Sequence, residues 1–247
     1  MRNYAVLLCC LAMVLSVSCT EDMKEEHGGT PSASLSNTIP VLYIETEDRQ
    51  PATSKTEYIG AMYWLDPLGN EDVEPLGSEA EPLPMQIRGR GHSSWKGPKK
   101  PYKIKLGKKT AVMGMPSNKH WALLKPSENT VAGLELGKLM GMAWTPDFRP
   151  VEVMLNGDYI GLYFLTETIR IGENRVDIYE QNDQETDPAL IKGGWLVEVD
   201  NYKDECQIVI PENSRWNLTI RYHSPEDLSG AQLKWLTDEF KALNAAI

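Results

Sequence analysis

Cysteine is scarce in this 247-residue chain and badly placed for a scaffold. Cys9, Cys10 and Cys19 crowd the first nineteen residues, and only Cys206 falls in the body. That excludes a disulfide framework or a zinc-ribbon spacing. The four histidines (His27, His92, His120 and His223) are scattered and form no HExxH pattern, which argues against a His/Cys metal centre. Positive charge is also short, 25 Lys and Arg against 35 Asp and Glu, a net −10. A chain so acidic is no general nucleic-acid binder, although local basic clusters can still hold one phosphate or carboxylate. Neither a Gly-x-Ser-x-Gly elbow nor a distinctive carboxylate pair is present, so nothing supports a hydrolase. Internal repeats are missing as well. With 41% hydrophobic residues the chain can nevertheless bury a core, which excludes disorder as its main state.

What is present begins with an address. Arg2 precedes an apolar run, Ala5–Val17, of the length of a signal-peptide core. The run is short for about 30 Å of hydrocarbon. Ser16, Val17 and Ser18 before Cys19 resemble a bacterial lipobox, so residues 1–18 read as a signal peptide and Cys19 as a lipidated first residue. Ordinary cleavage with Cys19 incidental is the other reading. Residues 19–40 are acidic and then rich in Gly, Ser, Thr and Pro, a solvated tether. Their acidic start resembles the surface-export signals of Bacteroidetes lipoproteins. The expectation is an outer-membrane lipoprotein of the bacterial envelope, held to the membrane by its lipid and possessing no nucleic-acid partner.

From Val41 the pattern turns strand-like. Val41–Thr46, Tyr58–Leu65, Met85–Arg90, Pro101–Leu106, Pro150–Leu155, Tyr159–Thr166 and Trp195–Asp200 are apolar, β-branched or aromatic runs bounded by turn formers. Asn156-Gly157 between two of them predicts a type I′ hairpin. Two helices are expected. One spans Glu128–Met142, with Gly133, Gly137 and Gly141 as a small-residue stripe to be pressed against sheet backbone. The other starts at a capping box, Ser229 to Gln232, and keeps helical spacing to Ile247. The pattern predicts an α+β domain over residues 41–247, a mostly antiparallel sheet with packed helices, cut while its last helix is still running.

The densest chemistry lies between Ile87 and Leu106. Arg88 and Arg90 share a face, Gly89 and Gly91 permit close backbone approach, and Lys103 and Lys105 rise together from the next strand. Such a patch suits a phosphate or carboxylate. It equally suits a solvated hairpin paired with the protein's own carboxylates. Seven tryptophans could stack on sugars, although scattered tryptophans usually fill cores.

The ordered strings IRGRGHSSW, PKKPYKIKL, HWALLKP, VEVMLNGDYIGLYFLTETI, NRVDIYE and GGWLVEVD resemble the spore coat protein H (CotH) family, from about Ile39 onward. That resemblance implies an atypical protein serine kinase that binds ATP with magnesium. It places the nucleotide phosphates on Arg88, Arg90, Lys103 and Lys105, with Lys103 narrowly ahead of Lys105. It also likens Gly161–Glu167 to a strand entering an adenine-holding hinge, with Glu167 at its end; a plain core strand is the alternative. Glu198 and Asp200 match a Glu-x-Asp pair that could assist a metal or could neutralise the basic strand. Against the family pattern, Asn129 stands where an aspartate is usual, the following Arg-Asn pair is absent, and the metal-binding helical half would lie beyond this sequence. Weak ATP binding without phosphoryl transfer is therefore expected of this chain alone. A non-catalytic module for an envelope protein or glycan is the alternative function.

Replacing Cys19 with serine should release the protein from the membrane fraction or stall its maturation. Fractionation and migration identical to wild type would overturn the lipid-anchor assignment.

Overall fold

The computed structural model describes residues 35–36, 38–199, 207–210 and 218–246. Seven strands run β1 (Val41–Thr46), β2 (Ile59–Asp66), β3 (Leu83–Gly89), β4 (Tyr102–Val112), β5 (Met115–Leu124), β6 (Phe148–Leu155) and β7 (Asp158–Glu167). They close into a barrel in the order β1-β2-β3-β4-β5-β7-β6. Six of the seven pairings are antiparallel, and β1 meets β6 in parallel, Val41 opposite Glu152 and Ile44 opposite Leu155.

Closure corrects the expected α+β architecture. The predominant element is a closed, mixed barrel, and helices are a minor part of the described residues. Period-two alternation sends one face of each strand inward: Leu42 and Ile44, Tyr63 and Leu65, Met85 and Ile87, Ile104 and Leu106, Trp121 and Leu123, Val151 and Val153, Tyr163 and Leu165 are all buried in one cluster. The lumen is thus a packed core. Local patterns cannot announce closure, because an edge strand and a closing strand alternate alike.

The glycine stripe is the second correction. Helix α1 (Glu128–Leu139) is shorter than expected and does not press its glycines on the sheet. A Cβ at Gly133 would meet nothing within 4 Å, and one at Gly137 would meet Met142 and Thr145 of the helix's own exit. Gly141 is not a packing residue at all. With φ +72° it stops the helix in a Schellman motif, in which Met142 N–H donates to the Gly137 carbonyl (3.1 Å) and Gly141 N–H to that of Lys138 (3.0 Å). Leu136, Leu139, Met140 and Met142 consequently stay exposed.

The hairpin and the capping box form as the residues demand. Asn156 (φ 55°) and Gly157 (φ 86°) connect Leu155 to its partner Asp158. The Asn156 side chain also accepts from Thr46 N–H (2.8 Å), tying the hairpin to β1 beside the parallel seam. A second positive-φ pair, Met113 (51°) and Gly114 (76°), turns β4 into β5.

After the barrel come a one-turn helix α2 (Pro188–Ile191), then β8 (Leu196–Val199), β9 (Gln207–Ile210), β10 (Leu218–Ser224) and α3 (Gly230–Ala246). The three strands form a separate sheet in the order β8-β10-β9. Helix α3 covers it through Leu236 against Ile208 and Ile210, with Trp195 and Trp235 stacked at 5.7 Å. Its start is the expected box: Gln232 N–H donates to Ser229 Oγ (3.1 Å) and Ser229 N–H to Gln232 Oε1 (2.9 Å). Gln232 is fully buried and its amide reaches Gln181 Oε1 and the Asn182 carbonyl, both at 3.1 Å.

Ser229→Ala should lower unfolding free energy by about 0.5–2 kcal/mol, as lost N-caps do. Chemical denaturation measures this; an unchanged midpoint would mean the cap carries no stability.

Candidate functional site

The inward set leaves a complementary outward set on β3, β4 and β5. Ile87, Ile104 and Trp121 point into the core, so Arg88, Lys103, Lys105 and His120 point out. Register aligns them: Arg88 faces Lys103, Gln86 faces Lys105, and Lys105 faces His120. The basic residues expected to act together therefore share one wall of the barrel. Arg170, in the stretch after β7, joins them.

None of Arg88, Arg90, Lys103, Lys105 and Arg170 forms an ion pair among the described residues. Arg88 lies over the Tyr58 ring at 5.0 Å, and its Nε is buried with no hydrogen-bond partner. Burial, then Arg88, Arg170 and Arg90, push the Lys103 ammonium down to about 8, with only Glu226 opposing. Arg90 is pushed down by burial and then Arg88, against the pull of Glu198. His120 is driven down to about 4 by burial and then by Arg170, Lys103, Lys105 and Lys119. Burial disfavours the charged imidazole first, and the cations around it act in the same direction.

Lys103 stands at the junction of two cavities. One, about 480 Å³, runs between Lys103, Arg170 and a rim bearing Glu180, Asp183 and Glu226. The other, about 490 Å³, has Arg90, Lys103 and Thr166 beside an apolar lining of Ala122, Leu124, Leu134 and Leu196. Lys105 lines neither, and its neighbour is His120.

Gly89 and Gly91 leave less room than their residue type suggests. A Cβ on Gly89 would come within 2.6 Å of the Trp95 ring, and one on Gly91 within 2.1 Å of Ser94 Oγ. The short turn Ser93–Lys96 thus docks Trp95 on the strand, and Trp95 in turn meets Tyr102 edge-on at 6.1 Å.

Glu167 ends β7 with its carboxylate occupied. One oxygen pairs with the fully buried Arg175, and the other accepts from Asp147 N–H (2.9 Å). Burial pushes the Glu167 carboxyl up and the Arg175 guanidinium down, while their contact opposes both. Arg175 also lies 5.2 Å from the Trp121 ring centroid, so this ion pair locks the loop after β7 onto the barrel. Sequence reasoning passed over Arg175, Arg170 and His120. Arg175 and His120 sat inside recognised strings, but no spacing rule marks a residue whose partner is distant in sequence.

Of the expected metal pair only Glu198 falls among the described residues. Glu198 is exposed and bonds His223 Nε2 at 2.9 Å, and Asp200 lies outside the described residues. No group of three or more metal-binding side chains occurs among the described residues. A triphosphate fits the uncompensated cations and the orphaned Arg88 Nε, whereas the described residues do not fit magnesium. Cys19 lies outside the described residues too.

Removing Arg175 by Arg175→Ala should cost about 3–5 kcal/mol of stability by stranding a buried carboxylate. Glu167→Gln with Arg175→Met together should cost less. Equal losses would mean that packing, not charge, holds the pair.

A search of curated proteins and one of solved structures found no match. A family model does match: CotH kinase protein, over residues 87–246, beginning at Ile87 rather than near Ile39 and so leaving β1 and β2 outside it. With well over half of its length matched, the chain belongs to the CotH kinase protein family.

Proposed function

We infer that the outer wall of β3, β4 and β5 holds the phosphates of a nucleotide, as the phosphate-binding part of an ATP-dependent protein kinase of the bacterial envelope, lipid-anchored through Cys19. The observation that carries this reading is the set of half-buried cations that form no ion pair among the described residues, with only Glu226 and Glu198 offsetting their charge from a distance. Keeping them unpaired is costly, and a polyphosphate removes that cost.

Lys103 is the central ligand in this reading, with Arg88 and Arg90 beside it and Arg170 across the cleft. The apolar side of the second cavity, next to Thr166, suits a nucleobase. Bound ATP would supply the transferable phosphoryl group. The protein's own part is to position that group and offset its charge. No step is assigned to a metal, because the described residues bring no ligand set together.

One observation favours the alternative, a module that binds an envelope protein or glycan without turnover: Glu198, expected to assist a metal, is engaged by His223. Radiolabel transfer to generic acceptors separates the two readings, since metal-dependent transfer would eliminate the second.

Calorimetry with ATP tests the first. Lys103→Ala should weaken binding by about tenfold or more, the worth of one charge-assisted contact. Lys105→Ala should do less. Because Lys103 is charged only below its pKa of about 8, affinity should fall as pH rises through that value. Absence of binding at millimolar ATP, or an affinity that climbs from pH 7 to 9, would overturn the assignment.

A further inference from the structure

Arg170 and Ile171 line a third cavity as well, about 230 Å³, on the side of the wall away from Arg88. Its charged lining is Lys109, Lys119 and Arg170, with the neutral His120 beside them, against the single carboxylate of Glu173, which is exposed. Ser117, Asn118 and Asn174 add neutral polar groups. Among the described residues neither lysine forms an ion pair, and His120 Nδ1 is buried with no partner. The family match does not explain this pocket. The Arg88–Arg90–Lys103 group is enough for a nucleotide's phosphates, yet the positive wall continues past it along the β4–β5 hairpin.

We propose that the pocket of Lys109, Lys119, His120 and Arg170 captures an anionic side chain, carboxylate or phosphoserine, of a polypeptide lying across the barrel wall. Charge complementarity selects this occupant. The protein carries a net −10, so a locally positive pocket is where it can attract an acidic chain against its overall charge. The volume admits one such group with a few waters, at about 30 Å³ per water. Arg170 belongs to both this pocket and the larger cleft, so a partner anchored here extends directly toward Lys103. The proposal rests on the phosphate reading only for what that partner meets in the cleft, and it names the chemistry of the partner: an acidic segment, or one already phosphorylated.

His120 is the reporter. It stands opposite Lys105, and its pKa is lowered by burial first and then by Arg170, Lys103, Lys105 and Lys119. An anion in the pocket offsets them and raises its pKa. The test is histidine-labelled NMR on the full chain at pH 6.5, with Asp-rich, phosphoserine and Asn/Gln-substituted peptides, inorganic phosphate, and ATP as separate titrants. The Asp-rich and phosphoserine peptides should shift the His120 resonances and raise its pKa, while the neutral analogue does neither. Lys109→Ala with Lys119→Ala should weaken both peptides about tenfold or more and spare ATP, whereas Lys103→Ala should weaken ATP and spare the peptides. A shift by the neutral peptide, a response to free phosphate alone, or peptide binding lost with Lys103→Ala but kept without the two lysines would each overturn the proposal. Peptide binding in a chain that does not bind ATP would uphold it and reject the nucleotide reading instead.

Discussion

A ring of seven strands cannot alternate direction all the way round, so one pair must run parallel, and here that pair is β1 with β6. The rest of the molecule depends on this seam. Without it the sheet would end in two edges, and the core would open along Leu42 and Val153. With it, every strand has two neighbours and one buried face. The seam is secured at one end by Asn156, whose side chain meets both the backbone and the hydroxyl of Thr46. The turn residue that makes the β6–β7 hairpin therefore also closes the barrel. Once the inside is filled by Ile87, Ile104 and Trp121, the directions of Arg88, Lys103, Lys105 and His120 follow without further choice.

The protein uses its cations in two ways. Arg175 is fully buried and paired with Glu167, and Arg149 pairs with Asp147 at 2.8 Å, so these guanidiniums serve the fold. On the outer wall the opposite holds, and Lys103 feels three arginines against one glutamate. Carboxylates are plentiful in the chain, so the lack of an ion pair to this wall among the described residues reflects placement and not shortage. The acidic rim of Glu180, Asp183 and Glu226 faces Lys103 across the cavity without contacting it. Part of the Asp183 carboxylate is already committed to the Glu226 and Asp227 N–H groups.

Much of this was legible in the residues, and the failures have physical causes. Alternation marked β1, β2, β3, β6, β7 and β8 to within a few residues and the first half of β4, and Asn156-Gly157 and Ser229–Gln232 form the expected turn and cap. β5 was passed over because its first half, Pro116 to Lys119, is polar, and only the Met113-Gly114 turn and its pairing with β4 make it a strand. The glycine stripe misled because spacing cannot distinguish a packing glycine from a stop, and Gly141 is the stop. At the site, the Arg-Gly-Arg string and the lysine alternation pointed to one basic wall, since cross-strand neighbours are local in sequence. His120 and Arg170 were invisible there, because their relevance comes from the β4–β5 and β5–β7 pairings that bring the chain back to Lys103.

The electrostatics of the wall connect stability to ligand. The folded-state pKa of Lys103 is depressed to about 8 from 10.5, so between those values the unfolded chain holds more protons than the folded one. Stability contributed by this group therefore rises as pH climbs through that window and is lowest below about 8, where the folded protein must carry the charge. An anion on the wall would oppose that shift, because it favours the protonated lysine and offsets the neighbouring arginines, although not the burial that is the larger cause. The same argument applies at His120, where the field of four cations weakens as soon as one of them is neutralised. Two anions on one wall would thus not repel simply as like charges. Each relieves part of the positive field that the barrel holds in place, with Arg170 common to both.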